Sequence, residues 1–141
     1  MAEVPVGIEQ VLRVVRILHS VMLATMVLYA VVTVRFLPAG AGPIDPTFFW
    51  SIAGVAIGFF FAAFLVRAKK TQPAVETLSA QPADAAGLKN WRVGTILSAV
   101  ALECVVMFGV ALYIQGAAPT QVALFFVLPI LTMMLWFPKR P

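Results

Sequence analysis

Glu103 is the only acidic residue inside an apolar run. It stands in SAVALECVVMFGVAL, residues 98–112, where thirteen of fifteen residues are apolar. An ionised carboxylate on lipid at the centre of a membrane helix costs at least about 2.5–3.5 kcal/mol. Glu103 is therefore expected to face the interior of a helical bundle and to be neutral much of the time. A neutral carboxyl both donates and accepts hydrogen bonds. Three chemistries suit such a group. It can bind a proton or cation reversibly, it can be hydrogen-bonding glue at a helix or subunit interface, or it can oppose a bound cofactor or cationic substrate. The polar residues that could serve it are Thr25, Tyr29, Ser98 and His19.

These readings require spans that place Glu103 at depth. Of 141 residues 62% are hydrophobic and 11% charged, with a mean hydropathy of +0.98. So few charges cannot cover a water-soluble globule, whose charged fraction is about a quarter. The class is an integral membrane protein. Apolar segments run over 17–34, 48–66, 93–114 and 122–137, the last extended by a turn to about 120. A helix rises about 1.5 Å per residue, so a hydrocarbon core of ~30 Å takes about 20 residues. Backbone amides in hydrocarbon must be paired within the segment, and none of the four alternates in polarity as a barrel strand would. The expected fold is all-α, a polytopic four-helix bundle over 17–141. Glu103 then lies some 16 Å along the third span, at mid-membrane.

Basic residues give the orientation. Arg13, Arg16, Arg67, Lys69, Lys70, Lys89, Arg92, Lys139 and Arg140 fall on one side, and Arg35 alone on the other. By the positive-inside rule both termini are expected in the cytoplasm. The net charge of +4 then reads as topology and contact with anionic lipid rather than nucleic-acid binding. Trp50 is expected at the outer interface, and Trp91 and Trp136 at the inner one. The bacterial inner membrane is the location this pattern suggests.

Residues 1–16 read as an amphipathic cytoplasmic segment extending the first span along the interface, with Ile8, Val11, Leu12 and Val15 at helical spacing. Residues 67–92, rich in Ala, Pro and polar residues, read as a mobile cytoplasmic loop. Arg13 and Arg16 before an apolar run, with AGAG at 39–42, also suggest a signal peptide. That run exceeds the usual apolar core, and Arg35 interrupts the approach to the cleavage site, so the first span is read as retained.

Counting depth from the basic ends, Thr25 lies near the level of Glu103, with Tyr29 slightly beyond it. His19 sits about a turn inside the basic edge, and Ser98 lies between His19 and Glu103. These residues could form a polar ladder, although His19 alone fits contact with headgroups better. Gly54, Gly58 and Ala62 recur at intervals of four on the second span and would let another helix approach closely. Pro129 predicts a kink near Leu128. ILHSVMLATMVLYAVV (17–32) superimposes on ILSAVALECVVMFGVA (96–111) at an offset of 79, which sets Glu103 over Ala24. A duplicated helical hairpin would produce that match, and so would chance among helices drawn from few residue types.

The twelve residues ALECVVMFGVAL resemble the carboxylate helix of rotary ATPase proteolipids, the c-type subunits. Glu103, Phe108 and Gly109 match that helix's acid and the aromatic and glycine beyond it. The resemblance implies a reversible proton or sodium site in an oligomeric ring. The rest of the chain does not match the family. No nucleotide-binding, zinc or hydrolase motif is found, and a lone histidine excludes bis-histidine haem ligation within the chain. The expectation is a small non-enzymatic membrane protein with no cofactor and no metal. Its partners would be the bilayer and either further copies of itself or other membrane subunits. Glu103 would bind a proton or cation or, alternatively, serve as protonated glue.

Overall fold

A computed structural model describes residues 7–38 and 40–141. The start of the amphipathic segment, residues 1–6, lies outside them. The described residues form five α-helices and no strand: α1 Ile8–Phe36, α2 Pro46–Val66, α3 Gln72–Ala80, α4 Ala85–Ile114 and α5 Pro119–Leu135. A π-helical turn, Arg67–Thr71, joins α2 to α3 without a break. The fold is an all-α bundle, and α1, α2 and α4 are each long and apolar enough to cross a membrane. The shorter, apolar α5 packs on α4 and α1.

α4 is the helix around which the others gather, packing against α1, α2, α3 and α5. Hydrocarbon provides no hydrophobic force between helices, so close approach has to hold them together. Small residues on α4 permit it. Gly94 lies against Thr71 and Lys70 of the π turn, and Gly109 against Phe125 and Phe126 of α5. Ser98 and Ala99 are buried on the same helix. The main core joins Leu102, Val106 and Leu112 of α4 to Met26 of α1, Ala63 of α2, and Val122 and Phe126 of α5. Large side chains such as Val21, Leu28, Phe61, Leu65, Leu124 and Leu131 point outward, as they would toward lipid.

α2 packs through Ala53, Ala56 and Ala63. Gly54 and Gly58 are exposed, and a Cβ on either would meet open space. Among the described residues no helix therefore packs on Gly54 or Gly58, while Ala62 is half-buried. The spacing of four matched a packing face, but the alanine face one residue away is the one α4 covers.

Residues 67–92, expected as a mobile loop, are mostly helical. The π turn closes with the Gln72 N–H donating to the Arg67 carbonyl. It stands just before Pro73, whose missing N–H would otherwise interrupt the ladder. Asp84 then caps α4 by accepting from the Gly87 N–H. A second core forms here. Val11, Leu12 and Val15 of α1 meet Ala74 and Leu78 of α3 and Leu88 and Trp91 of α4. The amphipathic start of α1 does extend the first span, but α3 and α4 cover its apolar face. Trp91, expected at the interface, is 2% exposed within this core.

At the opposite end α4 stops in a Schellman motif. The Ala117 N–H donates to the Leu112 carbonyl and the Gly116 N–H to the Tyr113 carbonyl. Gly116 takes φ +104°, where only glycine is unstrained. A Cβ there would run into the Gly42 carbonyl. Gly116→Ala is expected to destabilise the fold by about 1–2 kcal/mol, read as a lower melting temperature in detergent. Gly42→Ala, whose Cβ meets nothing within 4 Å, should leave the melting temperature unchanged.

Candidate functional site

Glu103 lies in the middle of α4 and is half-buried. It follows the exposed Val100 by three residues, precedes the exposed Met107 by four, and follows the buried Ala99 by four. On a helix these are its neighbours on one side. The carboxyl-bearing residue therefore sits on the margin between the packed face of α4 and an outward stripe of Leu97, Val100, Met107 and Ile114. The interior at this level belongs to Leu102, Val105 and Val106. The expectation that Glu103 turns into the bundle is corrected to this margin. The helices packed on α4 cover only part of its circumference, and Glu103 stands where that cover ends.

The margin is the one shared with α1. Ile96 and Ala99 line a small cavity with Val15, Leu18, His19 and Met22, and Glu103 continues the same face of α4 toward the opposite end. That cavity sets residues near 15–22 beside residues 95–99. The two copies of the sequence match, offset by 79, thus lie side by side at similar depth in helices that run the same way.

The four polar residues expected near Glu103 are not joined to it. The Thr25 hydroxyl donates to the Val21 carbonyl at 2.9 Å and the Ser98 hydroxyl to the Gly94 carbonyl at 2.8 Å. Each is satisfied on its own helix. Tyr29 is half-buried against the main core. Among the described residues, the Glu103 carboxyl has no hydrogen bond and no ion pair, and no three His, Cys, Asp or Glu side chains gather as a metal site would require.

His19 has a different task from either of those expected for it. It is 3% exposed, and its Nε2–H donates to the Met133 carbonyl at 2.8 Å. A carbonyl only accepts, so this contact fixes the proton on Nε2. Met133 is in the last turn of α5, where the final carbonyls have no partner within the helix. His19 supplies one, and its ring stands edge-to-face with that of Phe137, the centroids 5.5 Å apart. Arg16 Nε donates to the Pro138 carbonyl at 3.0 Å. Glu9 pairs with Arg140 at 3.3 Å, both largely exposed. The first half of α1 thus holds the residues that follow α5. Sequence offered one signal for this arrangement: a helix that stops before Pro138 must find donors for its last carbonyls.

No family model matches the sequence, and no curated protein or solved structure matches it either.

Removing the His19 donor leaves a buried carbonyl unpaired. His19→Ala is expected to cost about 1–3 kcal/mol of stability, measured by thermal unfolding in detergent. Glu9→Gln removes only an exposed pair and should shift stability by less than about 0.5 kcal/mol. Equal effects would contradict the role given to His19.

Proposed function

We propose that this chain is a small, non-enzymatic membrane subunit or accessory protein in which Glu103 binds and releases a proton. The observation that carries the reading is the position of Glu103: mid-span, half-buried, at the edge of the covered face of α4, with no partner among the described residues. A carboxyl at mid-span is costly when charged, and among the described residues no side chain pairs with it. The proton is therefore its natural counter-charge, and a neighbouring helix that reached this margin would control when the proton leaves. A metal cation takes several oxygen ligands, and among the described residues no cluster of three His, Cys, Asp or Glu side chains includes Glu103, which favours the proton. The likeness of Glu103, Phe108 and Gly109 to the proteolipid carboxylate helix supports the same reading.

The competing role, hydrogen-bonding glue within the chain, has less support, because Glu103 makes no hydrogen bond among the described residues and Thr25, Ser98 and His19 bond elsewhere. It survives as glue between subunits. A hydrophobic carbodiimide separates the two, because it adds to a protonated carboxyl that it can reach from lipid. Labelling is expected at Glu103, falling as pH rises through the titration of the group, and absent in Glu103→Gln. Labelling that does not vary with pH would exclude a titrating site and leave the glue role.

A further inference from the structure

Far from Glu103, at the basic end of the bundle, a cavity of about 220 Å³ opens between the π turn, α4 and the residues after α5. Arg67, Lys139 and Arg140 line it, together with Thr71, Trp136 and Leu135. We propose that this cavity is a binding site for the phosphate headgroup of an anionic phospholipid.

Four observations carry the assignment. First, the charge is positive: three cations line the cavity, and the nearby Glu9 pairs with only one of them, Arg140. Second, Arg67 is held in place, its guanidinium 4.7 Å from the centre of the Trp136 ring. Stacking of this kind fixes the plane of the fork and leaves its edge N–H groups free for a planar or tetrahedral oxyanion. Third, Thr71 lines the cavity and is 4% exposed, and its buried hydroxyl, which lies against Gly94 of α4, has no hydrogen-bond partner among the described residues. A buried hydroxyl left unpaired costs free energy, and a small turn of the side chain toward a phosphate oxygen would remove that cost. Fourth, the rim is apolar. Leu135 is 81% exposed at the cavity edge, and Leu65, also exposed, lies on α2 two residues before Arg67. A polar, cationic pocket beside surface made for hydrocarbon fits an amphiphile, and basic pockets between membrane helices commonly take anionic headgroups.

The site depends neither on the proposed role of Glu103 nor on which side of the membrane the basic end faces. Its test is native mass spectrometry of the full chain released from detergent, titrated with phosphatidylglycerol, phosphatidylcholine or inorganic phosphate. Phosphatidylglycerol should be retained, phosphatidylcholine should not, and inorganic phosphate in excess should not displace the lipid. Arg67→Gln with Lys139→Gln should weaken retention about tenfold or more, since each cation near a membrane surface is worth about 1 kcal/mol. Lys89→Gln with Arg92→Gln removes the same charge from outside the cavity and should change retention less than twofold. Thr71→Val should weaken retention severalfold while leaving the lipid-free melting temperature unchanged or higher, because the hydroxyl it removes is unpaired. That variant keeps the proposal falsifiable if the Arg67 variant does not fold. Equal losses from the two charge pairs, or full retention in Thr71→Val, would overturn the site. Displacement by inorganic phosphate would overturn the assignment to lipid.

Discussion

Everything in this bundle depends on how closely other backbones can approach α4. In hydrocarbon, two helices gain little by hiding apolar surface from each other, since lipid tails are equally apolar. What remains is packing, and packing is strongest where side chains are small. Gly94 brings the π turn against α4 near the basic end, and Gly109 brings α5 against it farther along. A methyl group at either place would meet atoms of the neighbouring element closer than ordinary contact allows. With α1, α2 and α5 drawn to one helix, α4 becomes a shared axis with part of its circumference left bare.

The bare part gives Glu103 its character. A closed four-helix square would have placed a mid-span acid inside, among other polar groups, or excluded it. An axis with three companions has edges, and Glu103 stands on one of them. Thr25 and Ser98 bond to their own helices and His19 to α5, so among the described residues the carboxyl has no bonded partner. At the basic end of the molecule the arrangement differs. There side chains bond across elements or cap a helix: His19 on the end of α5, Arg16 on the Pro138 carbonyl, Asp84 on the start of α4. Among the described residues two buried polar atoms at that end lack a hydrogen-bond partner, His19 Nδ1 and the Thr71 hydroxyl.

The spans were legible from run length, because about 20 apolar residues without a charge have few other fates. The place of Glu103 midway along its helix was legible for the same reason, since that is a count along a helix. Its direction was not. α4 is apolar on nearly every side, so its sequence carries no moment that says which face meets other helices. The same ambiguity misdirected the reading of Gly54 and Gly58, since a small residue facing lipid and one facing a helix look alike in sequence. Residues 67–92 failed differently. Two prolines and many polar residues suggested a loop, but Pro73 sits in the first turn of α3, where it is tolerated. Ala74 and Leu78 form a face too short to register as a pattern. The partner of that face, Val11, Leu12 and Val15, lies sixty residues away in sequence.

The central claim is that Glu103 gains and loses a proton at the margin of α4. Infrared difference spectroscopy of the purified protein in lipid, scanned over pH, follows the C=O band of protonated carboxyl groups. The component of that band lost in Glu103→Gln, set apart from the bands of the other five acidic side chains, should appear as pH falls and vanish as it rises, with the melting temperature close to that of the unaltered chain. A Glu103 component that persists at every accessible pH, or no component lost on substitution, would contradict the claim.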